Sequence, residues 1–142
     1  MKPSLNYEEL IEAGQPRLSA LQRVGSSFLD GSSSAASAAF SREVCFVEAS
    51  VRQTYEHIAR LARRADSLDE VANMWRRMGA FCESALQILA GLKDKYPDCG
   101  AAELYDLVLD YKLACDDRQN RALEEKECLT TDFPKGVLPE LS

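Results

Sequence analysis

The chain has 142 residues, of which 46% are hydrophobic and 28% charged, and its net charge is −6. This length predicts one domain with a single core, and so ordinary a composition excludes a wholly disordered chain. Because an acidic chain repels nucleic acid and anionic lipid unless its basic residues cluster, we do not expect nucleic acid as a partner. We also expect no transmembrane segment and no signal peptide, since no apolar window approaches about 18 residues and the first residues carry acidic side chains.

The N-terminal arm predicts one or two short helices. Asn6 can cap a helical turn over Tyr7–Ala13, which Gly14 and Pro16 are expected to end. A second short helix is predicted from Arg17 to Leu29, followed by a Ser- and Gly-containing break. The arm is therefore expected to cover little of the rest of the protein.

Two long helices follow. Apolar residues at steps of three and four predict a helix that begins between residues 34 and 41 and ends at Ala65. The motif Ser67-Leu68-Asp69-Glu70 predicts the start of the next helix, with Ser67 accepting from the backbone N–H of residue 70 and Glu70 reaching back to Ser67. That helix is predicted to end at Tyr96-Pro97. Because the link is so short, the two helices are predicted to form an antiparallel hairpin.

A third long helix is predicted from about Gly100 to about Glu127. Its first half is apolar around most of its circumference, so nearly all sides need a partner. The hairpin can bury one stripe, whereas a second set of large side chains points elsewhere, out of reach of the short N-terminal arm. We therefore predict a two-fold homodimer through this second set, Tyr105, Leu109 and Leu113.

Residues 128–142 are predicted to form an irregular tail after a helical domain of residues 1–127. Phe133, Val137 and Leu138 are large and apolar but follow neither helical nor strand periodicity, and the nearby prolines favour an extended backbone. Three alternatives remain open. The tail packs on its own bundle, docks as a linear peptide in a partner, or is disordered.

Five cysteines form no CxxC pair, and their odd number favours free thiols in a reducing cytoplasm. Cys45, Cys82 and Cys115 fall on or beside helical apolar faces, so we expect them to be small core residues. Cys99 and Cys128 are predicted to lie in loops, where a redox role is a minor alternative.

The sequence shows no catalytic or metal-binding motif. His57 is the only histidine, and no nucleophile motif or Gly-rich phosphate loop accompanies it, so we interpret it as structural. No zinc spacing is present, and no Glu stands three residues before His57, as di-iron bundles require. We therefore expect no enzyme activity, no metal and no cofactor.

Five arginines are predicted to gather near the tip of the hairpin: Arg60, Arg63, Arg64, Arg76 and Arg77. One interpretation of this arginine cluster is an anion or nucleic-acid patch. The preferred interpretation is neutralisation within the chain, because an antiparallel last helix brings four carboxylates to the same end: Asp116, Asp117, Glu124 and Glu125. No interleaved aromatic residues support base stacking.

The hairpin from Phe46 to Leu92 resembles phasins, helical proteins associated with polyester storage granules. The resemblance rests on a long amphipathic helix, the Ser67-Leu68-Asp69-Glu70 link and a second amphipathic helix containing Ala80-Phe81. It covers about a third of the chain, and the last helix and the tail have no counterpart in that pattern. The resemblance implies binding to a granule surface.

Taken together, the sequence predicts an all-α, antiparallel helical bundle of three long helices plus one or two short N-terminal helices, packed as in coiled coils. The predicted function is non-enzymatic, as an adaptor, regulator or assembly subunit that binds another protein in the cytoplasm. The first alternative is a phasin-like granule- or surface-coating protein. The second is an enzyme without a recognisable motif.

Overall fold

The computed structural model describes residues 7–27, 34–94 and 99–135. These residues form four α-helices: α1 (Tyr7–Ser27), α2 (Ser34–Arg63), α3 (Leu68–Leu92) and α4 (Ala101–Lys135). No strand occurs within these ranges, so the predicted all-α class is confirmed. The helix count differs from the prediction, because one long α1 stands where one or two short helices are predicted.

α1 runs unbroken through Gly14 and Pro16, so the prediction that these residues end a helix is wrong. Pro16 removes only the hydrogen bond to the carbonyl of Glu12, and both residues are exposed, where water can satisfy that carbonyl. At Gly14, an ideal Cβ would lie 2.8 Å from Cζ of Phe81 and 3.1 Å from Oγ of Ser50. Gly14 therefore allows α1 to pack closely on the hairpin.

The junctions on either side of α3 follow local capping rules. Ser67 has an extended backbone with φ −143° and ψ 153°, and its side chain accepts a hydrogen bond from the backbone N–H of Glu70 at 3.1 Å. This confirms the predicted hydrogen bond from residue 70 to Ser67, and the return contact of the Glu70 side chain stays a prediction. Gly100, directly before α4, has φ +86°, a conformation that glycine adopts without steric cost.

α1 and α4 lie on different sides of the α2–α3 hairpin. α1 packs on α2 and α3, α4 packs on α3 and α2, and among the described residues α1 and α4 do not pack on each other. Lys126 of α4 contacts Asp69 at the start of α3, whereas Tyr105 near the start of α4 contacts Lys93 at the end of α3. These two contacts join the start of α3 to the second half of α4, and the end of α3 to the first half of α4.

All four helices contribute to one core. The predicted inner positions of α4 are buried at Leu104, Val108, Cys115 and Ala122 and half-buried at Tyr111. The ring centroid of Tyr55 on α2 lies 5.2 Å from that of Trp75 on α3 and 4.6 Å from that of Tyr111 on α4. The largest fully buried side chains include Leu21, Phe40, Ile58, Met78, Phe81, Leu89 and Val108.

α4 continues to Lys135 instead of ending near Glu127. No Gly or Pro follows Glu127 until Pro134, so local sequence allows the helix to continue. Phe133 therefore lies within α4, whereas Val137 and Leu138 lie outside the described residues. In the part of the chain that the structure covers, no helix is both long enough and apolar enough to cross a membrane.

Candidate functional site

The surface of α4 that faces away from the hairpin is the candidate functional site. Leu113 is 56% exposed and Leu123 is 43% exposed, while Leu109 is half-buried and Asn120 is exposed. These four residues form what we call the outer stripe of α4. Another side of the same helix carries fully buried residues such as Val108 and Cys115, so core packing holds the helix that bears the stripe in place.

The structure brings the three predicted self-association residues to this region but covers them unequally. Tyr105 is half-buried, and the Nζ atom of Lys93 lies 4.2 Å from the centroid of its ring. Leu109 packs partly against the core. The end of α3 therefore covers part of Tyr105, a contact that the sequence does not predict. Leu113 is the most exposed of the three residues.

Charged residues of α4 pair along their own helix beside the stripe. Nζ of Lys112 donates to Oδ2 of Asp116 at 2.8 Å, and this hydrogen bond raises the pKa of Lys112. Nε of Arg121 lies 3.0 Å from Oδ2 of Asp117. Both pairs have the i, i+4 spacing that brings side chains together on a helix.

The arginine cluster is not paired with the predicted carboxylates. Among the described residues no ion pair joins the two groups, since Asp116 and Asp117 are engaged within α4. Instead Arg77 lies 3.7 Å from Glu8, a residue of α1. Neutralisation of the cluster by the α4 carboxylates therefore involves no direct ion pair within the described residues, and it stays a prediction.

The other members of the cluster make local contacts or project into solvent. Arg76 donates to the side-chain oxygen of Asn73, and Arg60 lies 3.2 Å from Nδ1 of His57. Arg63 and Arg64 are exposed at the end of α2. The cluster is thus spread around the end of the hairpin.

A groove of about 330 Å³ between α1 and α2 is a second surface feature, which the sequence reasoning does not identify. Its lining includes His57, Gln53 and Phe46, which is 39% exposed, and the Arg17 guanidinium lies 4.6 Å from the centre of the Phe46 ring. Phe46 is a large apolar residue that lies outside the steps of three and four that define the buried side of α2. That position is the sequence signal that could have indicated the groove.

The cysteines occupy three kinds of environment, and no disulfide forms. Cys82 and Cys115 are fully buried, and a hydrogen bond between the Cys115 thiol and Cys82, together with burial, raises the pKa of Cys115 well above its ordinary value. Cys45 is exposed, so its predicted core position is wrong, because Val44 and Val47 are the buried residues of this turn of α2. Cys128 is exposed on α4 and Cys99 is half-buried.

Within the described ranges, no three or more His, Cys, Asp or Glu side chains are placed to hold a metal ion together. The comparisons with known proteins add no assignment: no protein-family model matches the chain, and neither the curated proteins nor the solved structures provide a significant match. The resemblance to phasins therefore rests on the pattern of the hairpin alone.

Proposed function

We propose that this chain is a non-enzymatic protein-binding module, an adaptor, regulator or assembly subunit, whose binding surface is the outer stripe of α4. The observation that carries the proposal is the exposure of Leu113 (56%) and Leu123 (43%) on a helix whose opposite side is buried. Exposed apolar patches with polar surroundings mark interaction surfaces. Full burial of each leucine would contribute about 1.5–3 kcal/mol.

In this proposal the four helices form an antiparallel bundle and the chain acts in the cytoplasm as a homodimer. The order of contacts between α3 and α4 supports the bundle arrangement. The absence of disulfides among the five described cysteines is consistent with a reducing compartment. Dimerisation pairs the same patch on both subunits, which is the commonest way for a soluble protein to cover an exposed stripe.

Sedimentation equilibrium at tens of micromolar tests the proposal. We expect a species of twice the 15.8 kDa chain mass, and a monomer for the double variant Leu109→Asp, Leu113→Asp. Phe46→Asp is the matched control, because Phe46 is also an exposed large apolar residue but lies on the α1–α2 side. It should remain dimeric. Far-ultraviolet circular dichroism verifies that each variant is folded.

A strictly monomeric wild-type chain would contradict the dimer. A double variant that is folded and still dimeric would show that the interface lies elsewhere. Flotation with polyester granules or lipid vesicles separates this function from surface coating. Because Asp110, Asp117 and Glu124 border the stripe, we expect the protein to stay out of the floating fraction.

A further inference from the structure

The four residues of the outer stripe belong to a longer heptad pattern on α4, which we call the seam. From Leu109, alternating steps of four and three residues reach Leu113, Asp116, Asn120, Leu123 and Glu127. A repeat of 3.5 residues is the spacing of a coiled-coil seam, in which one helix packs along another. Leu109 and Asp116 are half-buried and the other four are exposed. Leu109 packs partly against the core, and Oδ1 of Asp116 lies 3.6 Å from the position of an ideal Cβ at Gly79 of α3. The exposed members of the seam lie outside these contacts, so a second helix can approach them from solvent.

Opposite charges border the two edges of this seam. One edge carries Asp110, Asp117 and Glu124, which are exposed and spaced by seven residues. The other edge carries Lys112, Gln119 and Lys126, again at intervals of seven. Lys126 contacts Asp69 of α3 in the same chain, so Lys112 is the cation of this edge that a second copy would meet. Residues at these edges lie beside the partner helix in a coiled coil and determine its orientation.

We propose that the occupant of the outer stripe is a second copy of this chain, with the two α4 helices parallel and in register. The proposal rests on the proposed function and specifies its geometry. In a parallel two-fold pair, the acidic edge of each α4 faces the lysine edge of the other, and Lys112 lies beside Asp117 of the second copy. In an antiparallel two-fold pair, each edge faces the same edge of the second chain, so carboxylates oppose carboxylates. The charge pattern therefore selects the parallel pair.

Two seam residues refine this geometry. Asn120 occupies the kind of central seam position at which a single asparagine fixes register in parallel two-stranded coiled coils, at a cost in stability. Asp116 also lies on the seam and opposes association, because it would face Asp116 of the second chain. Its carboxylate accepts a hydrogen bond from Lys112 at 2.8 Å, which draws the charge toward the lysine edge. The pairing is accordingly reversible.

Cysteine cross-linking tests the orientation. In a background with Cys45→Ser, Cys99→Ser and Cys128→Ser, the variants Leu113→Cys and Asn120→Cys are oxidised separately with glutathione disulfide, and dimers are resolved by non-reducing electrophoresis. A parallel, in-register pair places both positions opposite themselves, so both variants should cross-link. In an antiparallel pair, only the position that lies on the two-fold axis is opposite the same residue of the second chain. At most one of the two cysteine variants can therefore cross-link. Arg121→Cys, exposed on the next position around the helix, is the matched control and should not cross-link.

Charge exchange provides the second measurement. Lys112→Glu and Asp117→Lys should each weaken the dimer by about tenfold, and the combined variant should restore most of the affinity. Asp116→Leu should tighten it by at least about tenfold, because it replaces a like charge on the seam with an apolar side chain. Glu56→Lys, an exposed charge change on α2, is the control and should leave the affinity unchanged.

The outcomes separate the two proposals. A dimer in which one or neither cysteine variant cross-links, or in which Asp117→Lys tightens association, overturns the parallel pair but leaves self-association intact. A chain that is monomeric even with Asp116→Leu overturns both.

Discussion

Gly14 is the position at which a single methyl group tests the packing of α1 most directly. An ideal Cβ there would lie 2.8 Å from Cζ of Phe81 and 3.1 Å from Oγ of Ser50. The Phe81 side chain is only 2% exposed, so its ring cannot move outward to accept the methyl group. Alanine at this position must therefore displace the ring or the α1 backbone.

Two opposing effects set the size of the change for Gly14→Ala. Replacing glycine within a helix gains about 1 kcal/mol of helix propensity. Overpacking a filled core costs about 1–3 kcal/mol. We expect a net loss of up to about 2 kcal/mol in the free energy of unfolding. Gly79→Ala is the matched control, because its Cβ would lie 3.6 Å from Cys115 Cβ, an ordinary contact, and should gain up to about 1 kcal/mol.

Urea titration followed by far-ultraviolet circular dichroism measures both variants. The loss for Gly14→Ala should shrink in a Phe81→Leu background, because the smaller side chain removes the atoms that the new methyl group meets. A Gly14→Ala variant as stable as Gly79→Ala would refute the close approach of α1 to α3.

Four further outcomes are expected. Ser67→Ala should lower the free energy of unfolding by about 1 kcal/mol, whereas Ser67→Asp should retain most of it, because aspartate also caps helices. Iodoacetamide at mildly alkaline pH should modify Cys45 and Cys128 in the native protein but Cys82 and Cys115 only on unfolding, since burial and the raised pKa of Cys115 keep its thiol protonated; mass spectrometry of timed samples checks this. Circular dichroism should give a helix content above about 60%, against about a third in average globular proteins. The arginine cluster should not bind duplex DNA at physiological salt, and salt-sensitive micromolar binding that is lost on charge reversal of the cluster would contradict this.

The helical class and the inner side of each long helix were predictable from the sequence because local patterns determine them. Ser67 stands at the expected cap, and Leu104, Val108 and Cys115 are buried as the steps of three and four require. These features depend on residues that are close in sequence, so the pattern alone contains the information.

Features that depend on which helices meet could not be predicted in the same way. Gly14 was expected to end a helix, because the sequence does not show that Phe81 lies against it. The partner of Arg77 is Glu8 near the start of α1, and the sequence does not show that this end of α1 lies beside Arg77. Part of the candidate site was nevertheless predicted. Leu113 was identified from its position opposite the buried stripe, whereas Leu123 lies in a charged segment and was not.

The pattern of helix neighbours also has a kinetic consequence. The most extensive packing joins α3 to α4 and α1 to α2, each a pair of consecutive helices. Contacts between consecutive elements close short chain loops, which is why helical proteins rich in them fold within microseconds to milliseconds. Docking of α1 on α3 instead closes a longer loop, because the whole of α2 separates these two helices in the sequence. We infer that the α1–α2 and α3–α4 pairs form early and that the contact of Gly14 with Phe81 belongs to the later step that joins the two pairs.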